Sequence, residues 1–173
     1  MLILVKICIL ARMKKDSKIY VTGHTGLLGS MLIKKLKENG FNNVTTRTHK
    51  EMDLTKSKET KWFLDLARPE YIFMAAGKTG GVIANKTYPA ESLHVNLAIQ
   101  DNVFEAAQKY EVNHLIFYVH HVFIQKLQHN QIKENCLLTG ELEDTSKAYA
   151  IAKIAGIIAC SAYNSQYNTK RFI

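Results

Sequence analysis

The chain has 173 residues, of which 47% are hydrophobic and 22% charged, a composition that excludes a disordered or low-complexity protein. Its length suits one domain with a hydrophobic core. The net charge of +8 arises from Lys and Arg spread along the chain, so we expect no nucleic-acid partner, and a basic surface suits an anionic cofactor equally well.

The N-terminal residues 2–11 form an apolar run that is shorter than the about 20 residues a membrane-spanning helix needs. The run also lacks the basic region and the A-x-A site of a secretory signal. Met13 opens the stretch MKKDSKIYVTG, which resembles a natural start just before the first strand. We therefore expect residues 1–12 to be upstream sequence translated in frame and residues 13–173 to be the domain. A membrane anchor is the alternative.

Strands and helices alternate through the rest of the chain. KIYVTG (18–23) predicts a strand and LLGSMLIKKLKENG a helix; NVTTRT (43–48) predicts a second strand and KSKETKWFLDLA a helix. EYIFMAAG (70–77) predicts a third strand, with the continuous apolar run typical of a sheet covered on both faces. The helix PAESLHVNLAIQDNVFEAAQKY, the strand NHLIFYV (113–119) and the helix SKAYAIAKIAGIIACSAYNSQY follow. This order predicts an α/β fold with a doubly wound parallel sheet.

The turn GHTGLLG spaces Gly23, Gly26 and Gly29 as GxxGxxG between a predicted strand and a predicted helix. Glycines allow the sharp turn and the close approach of a diphosphate, which the free amides of the helix N-terminus bind. On its own the spacing is weak, since three glycines can simply shape a turn, but this context favours dinucleotide binding. The turn also supplies His24, Thr25, Leu27 and Leu28 as cofactor-binding candidates.

The end of the second predicted strand indicates which dinucleotide binds. NAD-binding proteins place an acidic side chain there for the ribose 2′-hydroxyl, whereas this chain has Arg47 and His49. A cation favours the 2′-phosphate of NADP; the alternative is an ordinary surface arginine. Further candidates follow the second and third strands, where an adenine and the rest of a cofactor would lie: Asp53, Leu54, Ala75 and Ala76.

Tyr149 and Lys153 are four residues apart in KAYAIAK and therefore share one face of the last predicted helix. A lysine ammonium can lower the pKa of a nearby tyrosine and hold the nicotinamide ribose, so that the phenol acts as an acid toward a carbonyl that receives hydride. YxxxK alone is frequent and uninformative. Following a GxxGxxG turn and a fourth strand, it predicts a catalytic pair.

At these residues the chain resembles the extended short-chain dehydrogenases/reductases, which have a Rossmann NAD(P)-binding fold, and among them the GDP-L-fucose synthases. The similar segments are VTGHTGLLGS, AAGKTGGVIANKTYPAE, LLTGELEDTSKAYAIAKIAGI and SAYNSQY, and the similarity runs from about Lys18 to the end. The resemblance implies NADP-dependent epimerisation and reduction of GDP-4-dehydro-6-deoxy-D-mannose. Tyr149 would be the general acid at C4, with Lys153 as its partner.

The resemblance also implies that Lys78 and Asn85 border the nucleotide-sugar site, and it leaves a family-like homodimer open. Two other functions stay open: a dinucleotide-binding module without chemistry, and another nucleotide-sugar epimerase or dehydratase, which KTGGVIANKTYP disfavours. The family continues beyond YNTKRFI, so we expect the sheet to stop at about its fifth strand and a C-terminal substrate domain to be absent.

The tract VHHVFIQKLQHNQ follows the fourth strand, where the family has GSSCxYPK. His120 and Val122 occupy the positions of the substrate-binding serine and the epimerisation cysteine, and valine carries no exchangeable proton. A shifted reading frame restores GSSCVYPKTATQP if one base is lost near Val119 and one is gained near Ile132. We therefore expect a local frame shift and an impaired or inactive chain.

No metal site is predicted. Neighbouring residues of an extended strand point to opposite faces, so His120 and His121 cannot ligate one ion together. Cys8, Cys136 and Cys160 form no CxxC pair, and their odd number predicts neither a disulfide framework nor a zinc site. This use of cysteine favours a reducing cytoplasm.

Overall fold

The computed structural model describes residues 13–119 and 142–173, which form four strands and five helices. In chain order these are β1 (Ile19–Thr22), α1 (Leu27–Glu38), β2 (Val44–Thr45), α2 (Ser57–Ala67), β3 (Tyr71–Met74), α3 (Val82–Thr87), α4 (Pro89–Lys109), β4 (His114–Phe117) and α5 (Lys147–Gln166).

The strands form one parallel sheet in the order β2-β1-β3-β4. β1 pairs with β3 through all four residues of each strand, from Ile19 opposite Tyr71 to Thr22 opposite Met74. The chain leaves β1 for β2 on one side and then returns to place β3 on the other side of β1. The carboxyl ends of β1 and β3 therefore border the crevice in which open parallel sheets bind ligands.

Helices cover both faces of the sheet, which confirms the predicted doubly wound α/β fold. Crossovers between parallel strands are right-handed, so helices that lead in opposite directions across the sheet lie on opposite faces. Helix α1, which leads from β1 to β2, therefore lies on one face, and the helices that lead in the opposite direction lie on the other. The larger hydrophobic cluster joins the sheet to α2, α4 and α5 through residues such as Phe63, Phe104 and Cys160. A second cluster contains Leu36 of α1 and the side chains on the opposite sheet face.

The sequence predicted seven of the nine helices and strands closely and misjudged two. The second strand is only Val44–Thr45, shorter than the predicted 43–48, since it pairs with β1 alone at the sheet edge. Helix α3 was not predicted: the glycines before it and Pro89 after it favoured a loop, and six residues are too few to show a helical repeat.

The last residues of the chain extend the sheet beyond β4. Leu115 and Phe172 form a parallel bridge, and the N–H of Phe117 donates to the carbonyl of Ile173 at 2.7 Å. Residues 171–173 therefore run alongside β4, in the place of the expected fifth strand. Within residues 13–119 and 142–173, no helix has the length and hydropathy to cross a membrane.

Candidate functional site

The glycine turn is packed so tightly that two of its glycines have no room for a side chain. Gly23 has a φ of +65°, and a Cβ there would lie 2.7 Å from the amide nitrogen of Ala76. A Cβ on Gly29 would lie 2.1 Å from the carbonyl oxygen of Gly23. The first glycine thus lets β1 approach the end of β3, and the third lets α1 pack against the turn, as the GxxGxxG pattern predicts.

The amino end of α1 is open to solvent. Its N-cap residue is Gly26, whose N–H donates to the carbonyl of Gly23 at 3.0 Å, and no side chain caps the helix. Leu27, the first helical residue, is 84% exposed, while Thr25 and Leu28 are also exposed. The first amides of a helix lack intrahelical partners and carry partial positive charge, so this turn can hold an anionic diphosphate.

The end of β3 connects the glycine turn to the predicted catalytic pair. The N–H of Ala76 donates to the hydroxyl of Thr22 at 3.0 Å, which fixes β3 against the end of β1. At the next residue, a Cβ on Gly77 would lie 3.3 Å from Nζ of Lys153. The turn, Ala75, Ala76 and Lys153 are therefore linked by a row of close contacts along the carboxyl ends of β1 and β3.

Tyr149 and Lys153 lie together on the buried side of α5, 8% and 4% exposed. Nζ of Lys153 is 5.7 Å from the ring centroid of Tyr149 and 4.9 Å from that of Phe117. Burial lowers the pKa of Lys153 to about 8. At neutral pH the lysine thus keeps most of its charge, and it lies beside the ring that the sequence assigned as the acid.

The electrostatic effect on Tyr149 differs from the prediction. The sequence predicted that Lys153 lowers the pKa of the tyrosine, whereas burial raises it. Burial of the ring disfavours the charged phenolate and so raises the pKa of Tyr149. The ammonium of Lys153 does not offset this, since it lies 5.7 Å from the ring centroid and no described hydrogen bond joins the two side chains. In this geometry Tyr149 is a protonated phenol, the form that donates a proton.

The residues beyond β2 lie at the other end of the crevice. Arg47 is exposed, with its guanidinium 5.1 Å from the ring centroid of Phe63. The N–H and hydroxyl of Thr48 lower the pKa of Glu51, and the charges of Arg47 and of His24 from the glycine turn contribute less to the same effect, so the end of β2 lies near the turn. Arg47 can therefore offer its charge to a group bound near the turn.

Asp53 and Leu54 are held by hydrogen bonds. Burial works to raise the pKa of Asp53, but the hydroxyl and N–H of Thr55, at 2.7 and 2.9 Å, overcome this and lower it. The side chain of Leu54 is buried in the larger core, and its carbonyl accepts from Asn102 at 2.9 Å. The structure thus fixes this segment firmly and directs the leucine side chain into the core.

Lys78 and Asn85 lie in the segment after β3, and each side chain has its own neighbours there. The ammonium of Lys78 pairs with Glu91 at the start of α4. Asn85 lies on α3, and its side-chain oxygen would be 3.5 Å from a Cβ on Gly80. Their predicted contact with a nucleotide sugar stays a prediction.

Sequence reasoning missed Asn96, a residue of α4 that is 1% exposed. Its Oδ1 accepts from the N–H of Lys78 at 3.1 Å, and its Nδ2 donates to the carbonyls of Lys78 and Ser92 at 2.9 and 2.7 Å. Asn96 therefore anchors the backbone that follows Gly77, beside the lysine ammonium. Its signal was present, because Ser92, Asn96 and Gln100 form a polar stripe at helical spacing on a largely apolar helix.

Several predictions concern residues outside the described part of the chain: the N-terminal extension 1–12, the tract assigned to a frame shift with His120, His121 and Val122, and the unpaired Cys8 and Cys136. Among the described residues, no group of three or more His, Cys, Asp or Glu side chains could hold a metal ion.

Comparisons with known proteins agree with this geometry. GDP-L-fucose synthase 1 from Arabidopsis thaliana is 45% identical over 153 residues, which cover 88% of this chain and 47% of that protein. GDP-L-fucose synthase from Escherichia coli K12 is 38% identical over 150 residues, covering 87% of this chain and 47% of its own. The chain thus spans about half the length of these curated relatives.

A solved structure shows the same fold. MlghC, a GDP-mannoheptose C4 reductase from Campylobacter jejuni with NADP bound, superposes with a TM-score of 0.88 at 37% identity, over 93% of this chain and 51% of that one. The model of a family described as "NAD dependent epimerase/dehydratase family" matches residues 19–173, from the start of β1 to the last residue. The glycine turn, the parallel sheet and the Tyr149–Lys153 helix all lie within this match, and the chain belongs to the NAD dependent epimerase/dehydratase family.

Proposed function

We propose that this chain binds NADP(H) across the carboxyl ends of β1 and β3, with the diphosphate on the glycine turn and the nicotinamide ribose at Lys153. The observation that carries the proposal is the row of close approaches from the turn to the lysine: a Cβ on Gly23 would lie 2.7 Å from the backbone of Ala76, and a Cβ on Gly77 would lie 3.3 Å from Nζ of Lys153. The residues fit this ligand, because the turn leaves no room for side chains at its first and third glycines and the helix amides are uncapped.

The preference for NADP over NAD rests on Arg47. A guanidinium beyond β2 can pair with a 2′-phosphate. Among the described residues at that position, no carboxylate is equally free to accept a hydrogen bond from a 2′-hydroxyl. Glu51 is nearby, but its carboxylate accepts from the N–H and hydroxyl of Thr48 at 2.7 and 2.8 Å. The NADP bound to the Campylobacter jejuni reductase supports the same choice.

We propose that the parent reaction reduces the C4 ketone of a GDP-linked sugar, with GDP-4-dehydro-6-deoxy-D-mannose as the substrate, following epimerisation to the L-fucose configuration. NADPH would supply the hydride. Tyr149, a protonated phenol, would donate the proton to the C4 oxygen, and Lys153 would orient the nicotinamide ribose and stabilise the phenolate left behind. The names of the curated relatives and of the C4 reductase support this assignment.

For this chain itself we propose cofactor binding with impaired or no turnover. Val122 cannot exchange a proton where the family has its epimerisation cysteine, and the chain spans about half the length of its curated relatives. The second candidate is therefore a dinucleotide-binding module without chemistry. From the cysteine usage we place the protein in the cytoplasm, and from the resemblance we propose a family-like homodimer, which sedimentation would test.

The test combines binding with a single turnover. NADPH is titrated into the full chain and followed by its fluorescence, and GDP-4-dehydro-6-deoxy-D-mannose is then added while NADPH oxidation is recorded. Binding without oxidation supports the module, and oxidation that Tyr149→Phe abolishes without weakening NADPH binding supports a surviving reductase. Absence of NADPH binding by a chain with a native circular-dichroism spectrum would overturn the proposal.

A further inference from the structure

The ammonium of Lys153 lies against two aromatic rings. Nζ is over the ring of Phe117, 4.9 Å from its centroid, and 5.7 Å from the centroid of Tyr149. Burial lowers the pKa of Lys153, and no charged side chain among the described residues contributes to that change. A buried charge is costly unless a partner stabilises it, and the face of an aromatic ring attracts a cation within about 6 Å. The ring of Phe117 therefore offers the stabilisation that a carboxylate would otherwise supply.

Three elements fix the ring of Phe117 in place. Phe117 ends β4, where its N–H donates to the carbonyl of Ile173 at 2.7 Å. Its ring meets the ring of Phe104 from α4 edge-on, with centroids 5.6 Å apart and planes at 80°. On α5, a Cβ on Gly156 would lie 2.4 and 2.5 Å from the ring carbons Cε1 and Cζ, so the glycine lets the helix backbone touch the ring. This contact lies about one helical turn after Lys153 and brings the ammonium over the face of the ring.

The other described groups around Lys153 do not compete with the ring for its charge. Tyr149 is the titratable side chain beside Nζ on α5, and burial raises its pKa, so it stays neutral. From α4, Asn96 and Gln100 face this region, and both are uncharged amides. Gly77, which follows β3, has no side chain, and a Cβ there would lie 3.3 Å from Nζ. Because a ring stabilises a cation without neutralising it, the charge of Lys153 stays available at the carboxyl ends of the strands.

We propose that Phe117 is a positioning residue of the candidate site: its ring holds the ammonium of Lys153 in the charged form and within reach of a nicotinamide ribose. The second part rests on the proposed function, since it requires NADP(H) in the crevice. A side chain without a ring would leave the ammonium desolvated and uncompensated, so the lysine would lose its proton more readily and adopt other positions. Spacing in the sequence could not indicate this role, because Phe117 lies on β4 and Lys153 on α5.

Titration of Lys153 in the cofactor-free full chain tests the effect on its charge. The side-chain signals of isotope-labelled lysines are followed by NMR against pH, and the signal missing from Lys153→Met assigns the residue. Phenylalanine analogues with one, two or three ring fluorines are placed at residue 117, because fluorine withdraws negative charge from the ring face while the ring keeps its shape. We expect the proton affinity of Lys153 to fall stepwise with the number of fluorines, and to fall about three- to tenfold in Phe117→Leu.

Phe172→Leu is the matched control for the loss of a ring. Phe172 belongs to the same core cluster, and its ring lies 5.8 and 4.9 Å from the centroids of Phe104 and Tyr163. This variant leaves Phe117 in place, so we expect the titration of Lys153 to stay as in the wild type. A titration that is the same across the fluorinated series overturns the proposal, and so does an equal change in Phe172→Leu. The fluorinated chains keep the test decisive if Phe117→Leu does not fold.

NADPH fluorescence titrations test the positioning. At about pH 6.5, below the pKa of about 8 of Lys153, we expect Phe117→Leu to weaken NADPH binding about threefold or more. In the Lys153→Met background the same change should weaken it no further, because the ring acts through the ammonium. Equal losses in both backgrounds overturn the positioning role. A wild-type chain that binds no NADPH but shows the expected lysine titrations overturns the proposed function, whereas unchanged titrations in a chain that binds NADPH overturn the role of Phe117 alone.

Discussion

The glycine turn makes a prediction that separates folding from cofactor binding. In Gly29→Ala the new Cβ would lie 2.1 Å from the carbonyl oxygen of Gly23 and 2.7 Å from its carbonyl carbon. Both are backbone atoms, so α1 must move away from the turn. In Gly26→Ala, by contrast, the nearest atom is the same oxygen at 3.4 Å, and φ is −78°, which any residue adopts.

The magnitudes follow from these distances. Overpacking against backbone atoms costs about 3 kcal/mol, the upper end of the usual range, and alanine recovers about 1 kcal/mol of helix propensity, so Gly29→Ala should lose about 2 kcal/mol of unfolding free energy. For a domain of this size, that loss lowers Tm by about 4–8 °C. Gly26→Ala should lose less than about 1 kcal/mol, because only the N-cap preference changes.

Binding should follow a different order. A methyl group on Gly26 projects from the exposed end of α1 and keeps the diphosphate from the helix amides, so we expect NADPH affinity to fall about tenfold or more in both variants. Gly81→Ala is the control, since no atom outside its neighbours lies within 4 Å of the new Cβ. Thermal unfolding and NADPH fluorescence titrations measure the two effects. Wild-type affinity in Gly26→Ala, or wild-type Tm in Gly29→Ala, would refute this reasoning.

Three further predictions concern side chains around the crevice. Arg47→Glu should weaken NADPH binding about tenfold or more and leave NADH binding nearly unchanged in parallel titrations, while the nearby exposed Lys50→Glu changes neither. Burial lowers the pKa of Lys153 from 10.5 to about 8 in the folded state. Between these two pH values the unfolded state therefore binds more protons than the folded state, so Lys153 makes the chain more stable as pH rises from 8 to 10.5. Lys153→Met should remove about 3 kcal/mol of that rise in denaturant titrations, and an unchanged pH profile would contradict the assignment. Asn96→Leu should lower the unfolding free energy by about 3 kcal/mol or more, because it leaves buried backbone groups unpaired. Ser92→Ala is the control: the Ser92 hydroxyl has no hydrogen-bond partner among the described residues, so this change should alter the unfolding free energy by less than about 1 kcal/mol.

The fold was predictable because its signals are local. Continuous apolar runs marked β1, β3 and β4, and the glycine turn marked the first strand-to-helix crossover, so the doubly wound sheet followed from alternation alone. The short strand β2 was overestimated, since only Val44 and Thr45 pair with β1 and two of the five polar side chains in the predicted strand, Asn43 and Arg47, stay exposed. Helix α3 depends on the contacts of a six-residue segment, which no periodic pattern can reveal.

The candidate site was predictable where geometry follows from spacing. Tyr149 and Lys153 share a helix face by their separation, and the positions of Gly23 and Gly29 follow from the turn. The direction of the tyrosine pKa was not predictable, because it depends on how deeply α5 packs against the sheet. The role of Asn96 depends on the path of the chain after β3, which brings Lys78 to its side chain across eighteen positions of sequence.

If one dinucleotide spans the glycine turn and the lysine of α5, a crystal structure of the full chain grown with NADP will show it. We expect the diphosphate on the amides at the start of α1, the 2′-phosphate toward Arg47, and the nicotinamide ribose within hydrogen-bond distance of Nζ of Lys153. A diphosphate bound away from the turn, or a nicotinamide ribose out of reach of Lys153, would contradict it.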